Sequence, residues 1–400
     1  MKELAPWELP FFTSGHDEVL EAMRRWRAAF PALQAHIATM PLDAQCRAVL
    51  QALGDAGLLR YAVAGNGGEG GGEGSSGVID VRSACLVREA LAYDSVLADF
   101  VFAMQGIGSA AIWLFGSDEL RRRYLPGIRD GSRCAAFAMS EPDGSSDVAG
   151  LSTRARIDGD DYVIDGAKAW ISNGGIADQY IVIARTEDVQ GGGGLSAIVV
   201  DGDTPGLVIE SRTEIISPHP IATIRFTGCR VPRTQLIGEA GRGFKMAMAT
   251  LDFFRASVGA AATGVARRAL DETLQRVAGR QLFGTPMAEM DTVRMKIADM
   301  ALELDTAALL TYRAAWLKDT SRRSATREIA MAKLGATEAA QRVVDAAVQL
   351  FGGTGVSQGS IIEQLYRDIR PMRIYEGASE VQKLIIGKRT LAAGVAVVGP

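Results

Sequence analysis

The sequence predicts an α+β fold, mostly helical, in which a helical part, a β-rich part and a second helical part follow one another. Apolar residues recur at helical spacing up to about residue 133 and again from about residue 242. Between them lie short β-branched runs separated by Gly, Pro and Asp. A doubly wound parallel sheet would instead alternate strands and helices. We therefore expect domains at residues 1–133, 134–241 and 242–400.

The first part carries several helical stripes, among them Val19, Met23, Trp26 and Phe30. Residues 101–115 are nearly all apolar, and a helix without a polar face is buried. In the middle part, two β-rich runs flank residues 158–161 (DGDD), which is a hairpin signal. The short runs that follow are typical of an antiparallel sheet or barrel.

The last part carries apolar stripes at three-four spacing over residues 293–315 and 330–348. Long amphipathic helices that follow one another predict a helical bundle. Pro371 is expected to separate these helices from a final one that begins near Glu380.

Length and composition exclude several classes of protein. The chain has 400 residues, of which 48% are hydrophobic and 22% charged, with a net charge of −4. This balance is typical of a globular protein and argues against nucleic acid or an anionic membrane as the main partner. The four cysteines lack CxxC spacing, no apolar run reaches about 18 residues, and the N-terminal residues lack a signal-peptide pattern. We expect a soluble cytoplasmic protein without a membrane span.

Two further patterns carry little weight. A formal GxGxxG lies in the glycine-rich run 65–77, without the preceding strand and following helix that a dinucleotide-binding fingerprint needs. A flexible loop is the better interpretation. The histidines, at positions 16, 36 and 219, are far apart, so we expect neither a metal site nor a Ser-His-Asp triad.

Two motifs in the β-rich part could bind a planar or phosphorylated ligand. Residues 137–147 (FAMSEPDGSSD) place small residues at a turn, where free N–H groups and hydroxyls can cradle a phosphate or a flavin edge. In residues 166–175 (GAKAWISNGG), Trp170 offers a flat face and Ser172 points to the same side of the strand. Alone, a surface turn and a core tryptophan explain these motifs better.

Two more motifs lie in the C-terminal part. In residues 280–284 (RQLFG), Arg280 can hold a phosphate and Phe283 can lie against a base, although a helix C-cap also explains the run. In residues 367–380 (RDIRPMRIYEGASE), Glu376 stands beside Gly377 in a short link between helices. Taken alone, it is a solvated loop glutamate.

In this order and spacing the four motifs resemble the acyl-CoA dehydrogenase family, over residues 17–391. The most specific pieces are residues 374–380 (IYEGASE) and 170–174 (WISNG). The resemblance implies a helical N-terminal domain, a middle β-barrel, a C-terminal four-helix bundle, bound FAD and a homotetramer or homodimer.

The resemblance also implies roles for individual residues. Contacts with the flavin or its phosphates fall to Met139, Ser140, Ser146, Trp170 and Ser172. Contacts with the adenine half of FAD fall to Arg280, Phe283, Gln349, Gly352 and Gly353. The residues implied to line the thioester site are Tyr375 and Gly377, and those implied to lie near the CoA moiety are Asp252 and Arg255.

The implied reaction is α,β-dehydrogenation of an acyl-CoA to the 2-enoyl-CoA. Glu376 removes the α-proton, and the β-hydride passes to flavin N5. Such a base works best when burial raises its pKa toward neutrality. Some branches of the family keep the base near residue 254, where this chain has Phe254, which cannot accept a proton.

Several choices stay open. Phe253, Phe254 and residues 100–105 favour a short, branched or cyclic acyl group. An electron-transfer flavoprotein is the expected electron acceptor. Alternatives are an acyl-CoA oxidase, an acyl-carrier-protein thioester dehydrogenase, and a flavin-bearing protein that binds nucleic acid. The small excess of basic residues over 242–328 argues weakly for the last.

Overall fold

The structure, a computed structural model, describes residues 9–65, 79–144, 147–189, 191–321 and 323–397. The glycine-rich run 65–77 lies outside these ranges apart from its first residue. The helices are α1 (Asp17–Ile37), α2 (Leu42–Asp55), α3 (Val81–Asp94), α4 (Val96–Phe115), α5 (Asp118–Arg129), α6 (Gly243–Gly279), α7 (Asp291–Thr320), α8 (Thr326–Phe351), α9 (Ile361–Met372) and α10 (Ser379–Val397). Helices, strands and helices follow in the predicted order.

The strands are β1 (Ala135–Ala138), β2 (Arg154–Asp158), β3 (Asp161–Ser172), β4 (Gln179–Arg185), β5 (Leu195–Asp201), β6 (Leu207–Arg212), β7 (Ile221–Pro232), β8 (Leu236–Ile237), β9 (Gln281–Leu282) and β10 (Thr285–Pro286). One sheet has the order β6-β7-β3-β2-β4-β5-β8, with β1 against β4. The hairpin predicted at residues 158–161 is confirmed, because Asp158 pairs with Asp161 across its turn.

The sheet departs from the antiparallel prediction around β4, which pairs in parallel with β1 and, through Arg154 and Arg185, with β2. β1 runs parallel to β4, with Ala136 opposite Tyr180. A parallel pair needs a long connection rather than a tight turn, and residues 139–178 supply it. The short hairpin of β9 and β10 was also not predicted, since two-residue strands leave almost no period in a sequence.

The chain divides into two compact units. The helical unit comprises Met1–Met23, Val81–Asp99 and Arg255–Pro400, and the β unit comprises Arg24–Asp80 and Phe100–Phe254. The two boundaries drawn from the sequence between three domains stay a prediction.

The core of the helical unit lies between α6, α7, α8 and α9, as the bundle prediction requires. Buried there are Val265, Leu304, Val344 and Ile369, which repeat at helical spacing along their helices. Pro371 lies in the last turn of α9, which ends at Met372, so it stands between the long helices and the final one as expected. The final helix begins at Ser379, one residue from the predicted start.

The core of the β unit uses alternate residues of its strands. Tyr180, Val182 and Ala184 of β4 pack in one cluster with Tyr162 and Ile164 of β3. This period of two is the strand signature read from the sequence. Helix α4 is long and apolar enough to cross a membrane by composition, yet 83% of its most apolar window is buried within the protein. Such burial is typical of a core helix.

Candidate functional site

Glu376 lies in the link between α9 and α10, as predicted. Its φ is +53°, and that of Gly377 is +97°. A left-handed backbone at a non-glycine residue costs energy and persists only where the surroundings hold it. A Cβ at position 377 would lie 2.6 Å from Gln382 Nε2, so the glycine admits a close approach here. The sequence therefore builds a strained turn that displays a carboxylate.

Buried donors hold this turn through its backbone carbonyls. Arg255 Nε donates to Glu376 O at 3.0 Å, and Gln382 Nε2 donates to Gly377 O at 2.9 Å. Lys333 Nζ also donates to Gly377 O, at 3.0 Å. The three donor residues are between 0% and 5% exposed. These bonds therefore fix the Glu376 turn through its backbone oxygens.

The Glu376 carboxyl is placed as a base requires. Its Oε2 atom is inaccessible and has no hydrogen-bond partner among the described residues. Burial raises the pKa of Glu376 above its ordinary value, as predicted, and Asp99 adds to the rise. Three positive charges oppose it without cancelling it: Arg88, Arg255 and Lys333. A carboxylate of raised pKa with an unused oxygen can take a proton from a bound ligand.

Arg88 and Asp99 form a bidentate ion pair beneath the turn. Arg88 Nε and Nη2 reach the two Asp99 oxygens at 2.7 and 2.8 Å, and both residues are at most 2% exposed. Tyr375 is partly buried against the helical core, and burial raises its pKa. The assignment of Tyr375 and Gly377 to the thioester site stays a prediction, and both flank Glu376.

In the β unit, the first two motifs come together. Lys168 Nζ donates to Met139 O at 3.0 Å, and Ala169 N donates to Ser140 O at 2.9 Å. Met139 and Ser140 are therefore pinned beside the stretch of β3 that leads to Trp170. Ser146, the third predicted contact of this group, lies outside the described residues.

Trp170 occupies a bulge in β3. The register with β7 shifts between Lys168 and Ile171, and Trp170 has φ +60° with 59% of its surface exposed. Ser172 is partly exposed, while Ile171 between them is buried. Trp170 and Ser172 thus share the accessible side, as predicted. A large ring held at a strained, exposed position is suited to stack on a ligand.

Strained backbone concentrates in the predicted motifs. Among the described residues, the non-glycine positions with positive φ are Trp170, Asn173, Phe283 and Glu376. Each belongs to one of the motifs chosen from the sequence. Strain of this kind costs about 1–3 kcal/mol per residue and clusters at binding and catalytic sites.

A buried ion pair anchors the first two motifs. Lys168 Nζ lies 2.8 Å from Glu141 Oε1, and the residues are 0% and 6% exposed. The other Glu141 oxygen accepts from Ser152 N and Oγ, both at 2.7 Å, and Thr153 N donates to Oε1 at 2.9 Å. Burial would raise the pKa of Glu141, but the Lys168 charge and these donors lower it to about 2.

The third motif lies at the predicted end of α6. Phe283 forms a tight turn with Gly284 between β9 and β10, and its side chain is 99% exposed. Leu282 packs on the same small apolar cluster as Leu350. Arg276, one turn before Arg280, donates to Phe351 O at 2.8 Å. These contacts bring the ends of α6 and α8 together.

The other predicted adenine contacts are on the end of α8. Gln349 is exposed. Gly352 has φ +61°, and a Cβ at either Gly352 or Gly353 would meet nothing within 4 Å. The helical unit thus gathers the residues expected to hold the adenine half: Arg280, Phe283, Gln349, Gly352 and Gly353.

The CoA assignments rest on α6. Asp252 is partly buried. Arg255 holds the Glu376 turn, a contact that the sequence did not predict, and its role toward CoA stays a prediction. Phe254 is 1% exposed and packs on α4, where a Cβ at Gly106 would lie 2.4 Å from its ring. Phe254 therefore belongs to the core, which agrees with the expectation that the base of this chain does not lie at position 254.

Sequence reasoning missed the buried charges that position the motifs. These are Arg88, Glu141, Lys168 and Lys333. A usable signal was present, since Lys333 falls three residues after Ala330 and four before Thr337, on a stripe read as apolar. A charge on a buried face marks a group with a partner.

Family models of acyl-CoA dehydrogenases match three successive stretches of this chain. The N-terminal-domain model matches residues 13–132, the middle-domain model 136–229 and the C-terminal-domain model 241–391. The mitochondrial short-chain specific acyl-CoA dehydrogenase of Rattus norvegicus is 40% identical over 279 residues, which are 69% of this chain and 68% of that protein.

Two solved structures are similar over almost the whole chain. Butyryl-CoA dehydrogenase from Megasphaera elsdenii has a TM-score of 0.83 and 29% identity, covering 95% of this chain and 99% of that one. PigA in complex with FAD and proline has a TM-score of 0.85 and 28% identity, covering 95% and 98%.

Proposed function

Because the chain belongs to the acyl-CoA dehydrogenase family, we propose that it oxidises an acyl-CoA thioester to the 2-enoyl-CoA with Glu376 as the base. The observation that carries this proposal is the buried Glu376 oxygen without a partner, on a strained turn, with a raised pKa. A carboxylate that only stabilised the fold would have its oxygens paired.

The residues around Glu376 prepare it for proton removal from a carbon next to a thioester carbonyl. Arg255, Lys333 and Gln382 hold the turn without using the carboxylate. The donors bond to the backbone oxygens of Glu376 and Gly377. The Glu376 Oε2 atom has no partner among the described residues and can therefore accept a proton from the substrate. Burial keeps its pKa raised, so that the proton, once taken, is held.

The described residues fit FAD in two separate respects. An elongated cofactor with ring systems at both ends needs exposed aromatic faces, and Trp170 and Phe283 are 59% and 99% exposed. It also needs room for phosphates, which the open space at Gly352 and Gly353 supports. FAD would be held by the flavin and adenine groups of residues predicted above. When bound, FAD supplies the acceptor for the hydride that leaves the β-carbon.

A compact acyl group is the finer proposal. In the β unit, Phe253 packs against Phe254 and edge-on against Trp113, both with ring centroids 5.1 Å apart. Both phenylalanines are at most 5% exposed, and the contact at Gly106 leaves no space behind Phe254. Such a filled cluster favours short, branched or cyclic chains over long ones. The rat relative is specific for short chains by name.

The remaining assignments are predictions. We propose an electron-transfer flavoprotein as acceptor, a homotetramer, and a cytoplasmic location. The exposed Phe283 on a strained turn supports a ligand or partner subunit that covers it, since strained backbone clusters at binding sites.

A panel of acyl-CoAs tests the function. The purified, FAD-loaded protein is mixed anaerobically with short, branched, cyclic and long-chain thioesters, and bleaching of the flavin is followed. We expect one or more compact thioesters to bleach the flavin faster than chains of about twelve carbons or more. If no acyl-CoA bleaches it, the proposed function is wrong. Rapid peroxide formation in air would favour the oxidase instead.

A further inference from the structure

Lys333 is a fully buried ammonium in the middle of α8. Its side chain is 0% exposed, and its neighbours on the same helical face include Ala330 and Thr337. Removing an ammonium group from water is costly unless charges compensate it. Burial accordingly lowers the pKa of Lys333 to about 8, and the charge of Glu376 opposes that fall.

The hydrogen bond that Lys333 makes does not require a charge. Its Nζ donates to Gly377 O at 3.0 Å, but Gln382 Nε2 already donates to the same oxygen at 2.9 Å. A neutral side chain at position 333 would leave that carbonyl satisfied. The positive charge therefore needs another explanation.

The charges near Lys333 identify its electrostatic partner. Glu338 is occupied elsewhere, since Arg373 Nε and Ser379 Oγ donate to its Oε1 at 2.9 and 2.6 Å. Arg255 and Arg373 are positive and repel an ammonium. Glu376 is the acidic group that compensates Lys333 most, ahead of Glu338, and Lys333 is one of the charges that stabilise the Glu376 carboxylate.

We propose that Lys333 is a positioning residue for the base, which fixes the Glu376–Gly377 turn and sets the charge of the Glu376 carboxylate. The proposal rests on the proposed function. Lys333 does not touch the substrate. Its bond to Gly377 O supports the turn together with Gln382, and its ammonium favours the ionised form of Glu376 before substrate oxidation.

Other groups also face Glu376 and limit the effect of Lys333. Arg88 on α3 and Asp99 on α4 form their own pair, Arg255 lies on α6, and Tyr375 precedes the base. Because Arg88 and Arg255 remain when Lys333 is replaced, Glu376 keeps some stabilisation. A single opposite charge at close range shifts a carboxyl pKa by about 1–3 units, and we expect the lower end of that range.

The test is the pH dependence of flavin bleaching at a saturating acyl-CoA concentration, for wild type, Lys333→Met, Lys333→Gln and Lys333→Arg. We expect the kinetic pKa of the base to rise by about one unit in the Met and Gln variants, with the rate on the acid side falling about tenfold. The Arg variant, which keeps the charge, should restore much of that rate. KM should change less than the bleaching rate.

A matched control is Thr337→Val, one turn along α8. Thr337 donates to Lys333 O at 2.9 Å, so this change disturbs the same helix without changing any charge. We expect its kinetic pKa to equal that of wild type. The Gln variant keeps a donor and covers the case in which the Met variant does not fold.

The outcomes separate the two proposals. If wild type is bleached and the charge-free variants bind FAD with an unshifted kinetic pKa, the role of Lys333 is wrong and the proposed function stands. An equal shift in Thr337→Val would also overturn that role, because a packing effect would then suffice. If no thioester bleaches wild type, both proposals fail.

Discussion

The buried ion pair between Glu141 and Lys168 makes a quantitative prediction about stability. We consider Lys168→Met, Glu141→Gln and the double variant. Each single change leaves one charged group buried without its partner, because the two residues are 6% and 0% exposed. Removal of one member of such a pair costs about 3–5 kcal/mol.

The double variant should be less damaged than the sum of the single variants. It leaves no buried charge, and the glutamine carbonyl can still accept from Ser152 N or Thr153 N, which now bond to Glu141 at 2.7 and 2.9 Å. The remaining loss is mainly one unsatisfied donor, about 1–3 kcal/mol. We therefore expect a coupling energy above about 2 kcal/mol, at the upper end of values for residues in contact.

Thermal unfolding of the FAD-loaded protein, followed by circular dichroism and by flavin fluorescence, measures these effects. For a unit of this size, 3–5 kcal/mol corresponds to a fall in Tm of roughly 10 °C. The control is Arg230→Gln in the same sheet, whose ion pair with Asp158 at 2.8 Å is about half exposed and should contribute little. If Lys168→Met is no less stable than Arg230→Gln, the reasoning about the buried pair is wrong.

The pair also predicts a dependence on acidity. The pKa of Glu141 falls from 4.5 to about 2 on folding. A lowered carboxyl pKa stabilises the folded state above the unfolded value, and this contribution is lost as pH falls through the folded value. The difference in stability between wild type and Glu141→Gln should thus narrow as pH falls from about 4.5 toward 2, in the range where Lys168, whose pKa burial lowers to about 8, still carries its charge.

The remaining predictions concern three glycine positions and the base. Gly352→Ala should lower the free energy of unfolding by about 1 kcal/mol, because φ at this residue is +61°. Gly353→Ala should leave the free energy of unfolding unchanged. Both variants should bind FAD more weakly, as measured by fluorescence titration. Gly106→Ala should cost about 1–3 kcal/mol through its clash with Phe254, with partial rescue by Phe254→Leu in denaturant unfolding. Flavin bleaching by substrate should become faster as pH rises through the pKa of Glu376, which burial raises above the ordinary carboxyl range. A bleaching rate that does not change with pH would contradict this prediction.

Much of the architecture could be predicted because burial leaves a period in the sequence. The stripes of α7 and α8 and the β-rich run of β4 were read correctly, and Gly377 marked the turn that carries Glu376. These signals are local. The parallel pairing of β1 with β4 is not local, since it joins residues more than forty positions apart, and no short window contains it.

The parts of the site that escaped prediction depend on distant partners. A lysine at position 168 reads as a surface residue until the fold brings Glu141 beside it. Lys333 lies on an apolar stripe, but its partners are distant in sequence and are not visible there. The bulge at Trp170 likewise depends on the register between β3 and β7. Motifs identified the residues that meet the ligand, while tertiary contacts identified the residues that hold those motifs.

The most direct measurement is anaerobic flavin bleaching of Glu376→Gln by the best acyl-CoA of the panel. Glutamine keeps the size of the side chain and cannot act as a base, so we expect FAD to stay bound, the spectrum to stay yellow and bleaching to be lost. Glu380→Gln, four residues on and exposed, should bleach like wild type. Bleaching of Glu376→Gln at a rate near that of wild type would contradict the assignment of Glu376 as the base.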